Sequence, residues 1–96
     1  MTHGYVSDKE GLVNRLHRIE GQVRGIERMV EEERYCIDIL TQISAATTAL
    51  EAVALKILGD HVDHCVAAAF ASGDSEAAAE KSAELLSAVQ RFARAR

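Results

Sequence analysis

Three side chains, Cys36, His61 and Cys65, are of types that could act together on a soft metal ion. His61 and Cys65 stand four residues apart, so on a helix they share one face and can grip one ion. Cys36 lies 29 residues before Cys65. At a rise of ~1.5 Å per residue, one continuous helix would hold the two thiols about 43 Å apart. A second, antiparallel copy centred near Leu50 would close that gap, each chain lending Cys36 to the other's His61 and Cys65. The two-fold axis then makes two identical sites. Two thiolates and one imidazole form a soft, three-coordinate set; thiolates select Cu(I) over harder divalent ions, and zinc normally takes a fourth ligand. Spacing alone leaves another reading open, in which both cysteines are buried small side chains and His61 is a histidine of the seam.

A second constellation is basic. Between Lys9 and Arg28 stand five basic residues (Lys9, Arg15, Arg18, Arg24, Arg28) against Glu10, Glu20 and Glu27, a net charge of +2 inside a chain of net −4. Taking ~100° per residue, Arg18, Gly21, Arg24, Gly25 and Arg28 lie opposite the apolar stripe of the same helix, with Arg15 at the flank. Guanidinium groups pair bidentately with phosphate, and two glycines let a nucleic-acid backbone come close. The alternative is a solvated charged face that tolerates two glycines at ~1 kcal/mol each.

The elements that must position these groups are helices. Ser7-Asp8-Lys9-Glu10 has the pattern of a capping box. Leu12, Leu16, Ile19, Val23, Ile26 and Val30 then follow at alternating steps of four and three, which makes one apolar stripe. Glu31-Glu32-Glu33 opposes the negative helix end, so this helix should fray near Glu32. A second helix begins around Tyr35, and its seam reads Cys36, Leu40, Ile43, Thr47, Leu50, Ala54, Ile57, His61. That is coiled-coil spacing over more than three heptads. Gly59 weakens this helix without ending it; Ser72-Gly73-Asp74 ends it, with Gly73 as left-handed cap and Asp74 or Ser75 as the next N-cap. A third helix is expected from about Glu76 to Arg94, with Leu85, Leu86, Val89 and Phe92 as its apolar contacts.

Composition bounds the rest. Ninety-six residues without proline or tryptophan make one all-α domain, here residues 7–96 behind a flexible arm of residues 1–6. A core this small is marginal without partner subunits. The expected architecture is a three-helix protomer in an antiparallel four-helix-bundle dimer. Two cysteines are too few for a disulfide scaffold and suit a reducing compartment. No apolar run approaches the roughly 20 residues of a membrane span, and Met1–Ser7 lacks the regions of a signal peptide. A cytoplasmic protein without a membrane partner is the expectation. No nucleophile–base–orienter set or phosphate loop points to an enzyme.

Three ordered motifs carry a resemblance: Arg15-Leu16-His17-Arg18-Ile19-Glu20-Gly21-Gln22-Val23-Arg24-Gly25-Ile26, then Tyr35-Cys36-Ile37-Asp38-Ile39-Leu40-Thr41-Gln42-Ile43, then His61-x-x-x-Cys65. The chain resembles the copper-sensitive operon repressor (CsoR/RcnR) family from His3 to about Phe92. The resemblance implies an antiparallel dimer, usually paired into a tetramer, that represses from operator DNA and is released by the metal. Cys-His-Cys at 36, 61 and 65 is that family's copper pattern, which implies derepression of copper efflux or resistance genes.

Groups around the ligands also follow from the resemblance. Tyr35 matches a tyrosine beside the first cysteine, and Glu84 best matches a glutamate of the last helix, with Glu80 as the alternative. A glutamate or tyrosine on the far nitrogen of His61 would fix its tautomer. Arg15 matches a DNA-binding position; a second basic position is Ala52 here, with Lys56 one turn on as its substitute. His3 and His64 are not standard copper ligands and are expected in solvent. Two rival readings stay open. One is a nickel- or cobalt-responsive repressor that recruits His3 or His64; the other is a thiol-redox or persulfide sensor using Cys36 and Cys65.

Overall fold

Every apolar periodicity in the sequence has period 3.6, and the computed structural model, which describes residues 3–94, is helical accordingly. No strand occurs among the described residues. Helix α1 spans Lys9–Glu31, α2 Cys36–Asp60, the short α3 Ala67–Ala71 and α4 Ser75–Arg94. A π-helical turn, His61–Val66, joins α2 to α3, so one helical run extends over Cys36–Ala71. The three helices expected from the sequence are thus α1, the compound α2–π–α3 run, and α4. The chain divides into two compact units, Tyr5–Leu58 and Gly59–Arg96 with Met1–Gly4.

In the first unit, α1 begins one residue later than the Ser7/Glu10 capping box requires. A tight 3-10 turn, Gly4–Asp8, occupies the entry; of the arm expected at residues 1–6, residues 1 and 2 lie outside the described residues. Asp8 takes the N-cap position without a side-chain cap bond, and its carboxylate lies over Gly11. At the other end α1 stops at Glu31, as the acidic run predicts. The Arg34 N–H donates to the Met29 carbonyl (3.0 Å) and the Glu33 N–H to the Val30 carbonyl (3.1 Å). This pair of bonds is a Schellman closure, with Glu33 at φ 55° in the place usually held by glycine.

The core of this unit is Leu12 and Ile19 of α1 against Val53 of α2, with Ala49 packed beside them. Leu12 and Val53 are each only 4% exposed. The predicted seam of α2 is on show instead: Leu40 is 58% and Leu50 51% exposed, and Ile43 and Ile57 are also open. Helix α2 therefore has two apolar faces, one used inside the chain (Ala46, Ala49, Val53) and one left open. This corrects the expectation about membrane spans. By length and composition the run Cys36–Ala71 is apolar enough to cross a membrane, because alanines fill the gaps between the larger side chains.

In the second unit, α4 packs against the π turn and α3. Gly73 closes α3 at φ 76°, and the Asp74 carboxylate accepts the N–H groups of Glu76 (3.0 Å) and Ala77 (3.2 Å) as the N-cap of α4. Both were legible in Ser72-Gly73-Asp74. Ser72 adds a hydroxyl that donates to the Ala69 carbonyl and accepts the Asp74 N–H.

Candidate metal centre and nucleic-acid interface

His61 and Cys65 both lie on the π turn, not on a regular α-helix as their spacing suggested. The Ala67 N–H reaches back to the Val62 carbonyl, five residues earlier. Such wide turns are rare and concentrate at functional sites. The turn keeps the two side chains together, in one half-open pocket of about 540 Å³. Its walls include His3, Glu80, Lys81 and Glu84.

Glu84 is the glutamate that faces the histidine. Its Oε1 lies 3.7 Å from His61 Nε2 and 3.5 Å from Lys81 Nζ. Glu80 lines the same pocket. The Lys81–Glu84 pair sits at i, i+3 on α4, a spacing readable in the sequence but not singled out there. Both partners are substantially exposed, so the pair orients Glu84 more than it stabilises the fold.

Cys36 is the first residue of α2, exposed and free; Cys65 is free and half-buried. Tyr35 stands just before the helix and is exposed, its carbonyl accepting the N–H groups of Asp38 and Ile39. Among the described residues no three His, Cys, Asp or Glu side chains gather closely enough to hold a metal ion. His61 and Cys65 provide two donors of suitable softness in one pocket, and these fit a thiophilic metal. His3 and His64 are exposed, as expected, but His3 also lines the pocket, which its position 58 residues from His61 gave no means of foreseeing.

On α1, Arg15, Arg18, Arg24 and Arg28 are all exposed. Added Cβ atoms at Gly21 and Gly25 would meet nothing within 4 Å, so neither glycine is required by packing in the chain. Lys56 is half-buried and Ala52 exposed.

The chain matches the metal-sensitive transcriptional repressor family over residues 8–91. It belongs to that family. Family members are regulators of transcription, not enzymes. The chain is 53% identical over 92 residues to the copper-sensing transcriptional repressor RicR of Mycobacterium tuberculosis, covering 96% of this chain and 95% of that one. It is 52% identical to the copper-sensing transcriptional repressor CsoR of Bacillus subtilis, covering 96% and 88%. Among solved structures, the Cu(I) form of the copper-sensing repressor CsoR from Geobacillus thermodenitrificans matches with a TM-score of 0.86 at 44% identity, over 97% of this chain and 94% of that one. The nickel-responsive transcriptional regulator InrS matches with a TM-score of 0.76 at 44% identity, over 88% and 91%.

Proposed function

We propose that this metal-sensitive repressor responds to Cu(I): the apo protein holds operator DNA and releases it when Cu(I) binds, derepressing copper efflux or resistance genes. The observation that carries the reading is the thiol–imidazole pair of Cys65 and His61 in one pocket, with a further free thiol at Cys36. Copper-sensing relatives above 50% identity support it. The ligands are Cys36, His61 and Cys65, with Cys36 supplied by a second copy. That copy packs antiparallel along the open seam of Leu40, Ile43, Leu50 and Ile57, and two dimers pair into a tetramer. Burying such a seam is the ordinary reward for association. The protein works in the cytoplasm, beside its DNA.

When bound, Cu(I) supplies a soft centre that ties two thiolates to one imidazole. The chain's own residues do the rest. Glu84, whose carboxylate lies 3.7 Å from His61 Nε2, is the group that would accept from that nitrogen and fix the tautomer when the ligand turn and α4 draw together. Tyr35 sits beside Cys36 and supports the ligand set. Arg15, Arg18, Arg24 and Arg28, with Lys56, hold DNA phosphates. Operator and metal favour different arrangements of the helices, so each weakens the other's binding by the same factor.

A nickel- or cobalt-responsive reading has two observations in its favour, the presence of His3 in the His61 pocket and the match to the nickel-responsive regulator InrS. The thiol at Cys65 favours Cu(I) over it, because Ni(II) is the harder ion. The test is fluorescence anisotropy of an operator fragment under anaerobic conditions, titrated with Cu(I), Ni(II) and Zn(II). Cu(I) should release the wild type, while Cys36→Ala stays bound in its presence. Normal Cu(I)-driven release of Cys36→Ala contradicts the assignment.

A further inference from the structure

Gly4 is buried although it lies at the fourth residue of the chain. What buries it is the ligand turn. A Cβ built on Gly4 would collide with the backbone carbonyl of Asp60, lying 2.9 Å from its carbon, and would sit 3.0 Å from the His64 Cβ. Asp60 immediately precedes the π turn and His64 lies within it. The obstacle is backbone, so no side-chain rotation relieves it, and only glycine permits this approach. The neighbouring His3 then falls on the wall of the pocket that holds His61 and Cys65.

We propose that His3 and Gly4 form a clasp seated on the π turn, which shields the His61/Cys65 pocket and sets how fast Cu(I) enters and leaves it. The clasp is a positioning device. Gly4 fixes the chain against the Asp60 carbonyl, and that seating places His3 over the pocket. A short segment seated against a π turn can open locally without unfolding the helices, so it suits a gate for exchange. The copper half of this proposal rests on His61 and Cys65 being ligands; the shielding half does not.

The experiment compares wild type, Gly4→Ala and His3→Ala in two measurements. In the first, the metal-free protein is alkylated with iodoacetamide and the two cysteine-containing peptides are followed separately by mass spectrometry. Gly4→Ala should raise the rate at Cys65 about fivefold or more through local opening, with Cys36 within about twofold of wild type and the helical circular dichroism unchanged. His3→Ala, which leaves the Gly4 contact in place, should raise the Cys65 rate by a smaller factor. In the second, transfer of Cu(I) from the loaded protein to a chromophoric chelator should quicken in Gly4→Ala with the bound stoichiometry unaltered. A folded Gly4→Ala protein whose Cys65 reacts at the wild-type rate overturns the proposal. So does equal quickening of both thiols, or Cu(I) transfer at the wild-type rate. A wild type that binds no Cu(I) would instead defeat the copper reading, with the alkylation result still standing.

Discussion

The two units of the chain are held in different ways. Tyr5–Leu58 keeps a contiguous apolar cluster of Leu12, Ile19, Val53 and Ala49, and presents arginines on its outer face. In the unit Gly59–Arg96 with Met1–Gly4, Val66 is the one buried apolar side chain among the described residues. That unit depends on caps, a π turn and a close glycine contact, and it carries the pocket. Packing makes the first unit a scaffold and leaves the second free to respond to a ligand. Regions that move in allostery are drawn from the least stable parts of a fold.

The comparison breaks most visibly at the core. Leu12→Ala should cost about 3 kcal/mol in urea denaturation, since it empties space beside Val53. A loss under about 1 kcal/mol would mean that the first unit is not the scaffold. Next in size is the outer face. Arg18→Ala should weaken operator binding about tenfold and lower the salt slope by about one, with Cu(I) affinity unchanged. A variant that lost Cu(I) affinity equally would erase the division of labour. The smallest effect separates the two helix ends. Glu33→Gly should stabilise the protein by about 1 kcal/mol by relieving a left-handed glutamate, while Gly73→Ala should destabilise it by a similar amount. Thermal unfolding of both variants reads the contrast, and shifts of the same sign would refute it.

Much of the first unit was legible in the sequence. Leu12 and Ile19 belong to the stripe that period 3.6 picks out, and the end of α1 follows from three glutamates in a row. The inner face of α2 was not legible. Alanines carry little signal in an apolar pattern, and only the cluster with Leu12 and Ile19 of α1 makes Ala49 part of a packing surface. The second unit divides in the same manner. Asp74 and Gly73 act locally and were readable; the π turn and the seating of Gly4 depend on contacts distant in sequence, which no spacing encodes. Helix α1 starts at Lys9, one residue later than the Ser7/Glu10 box places it, after the 3-10 turn Gly4–Asp8. Glu84 was preferred over Glu80 for His61, and it is Glu84 that lies 3.7 Å from the ring.

The central claim is that two copies together complete each metal site. It is tested by mixing Cys36→Ala chains with Cys65→Ala chains, isolating the mixed dimer through two different tags, and titrating it with Cu(I). One tight site per mixed dimer is predicted, built from the Cys36 of one chain and the His61 and Cys65 of the other, although each parent variant alone binds weakly. A mixed dimer no tighter than its parents would contradict the account.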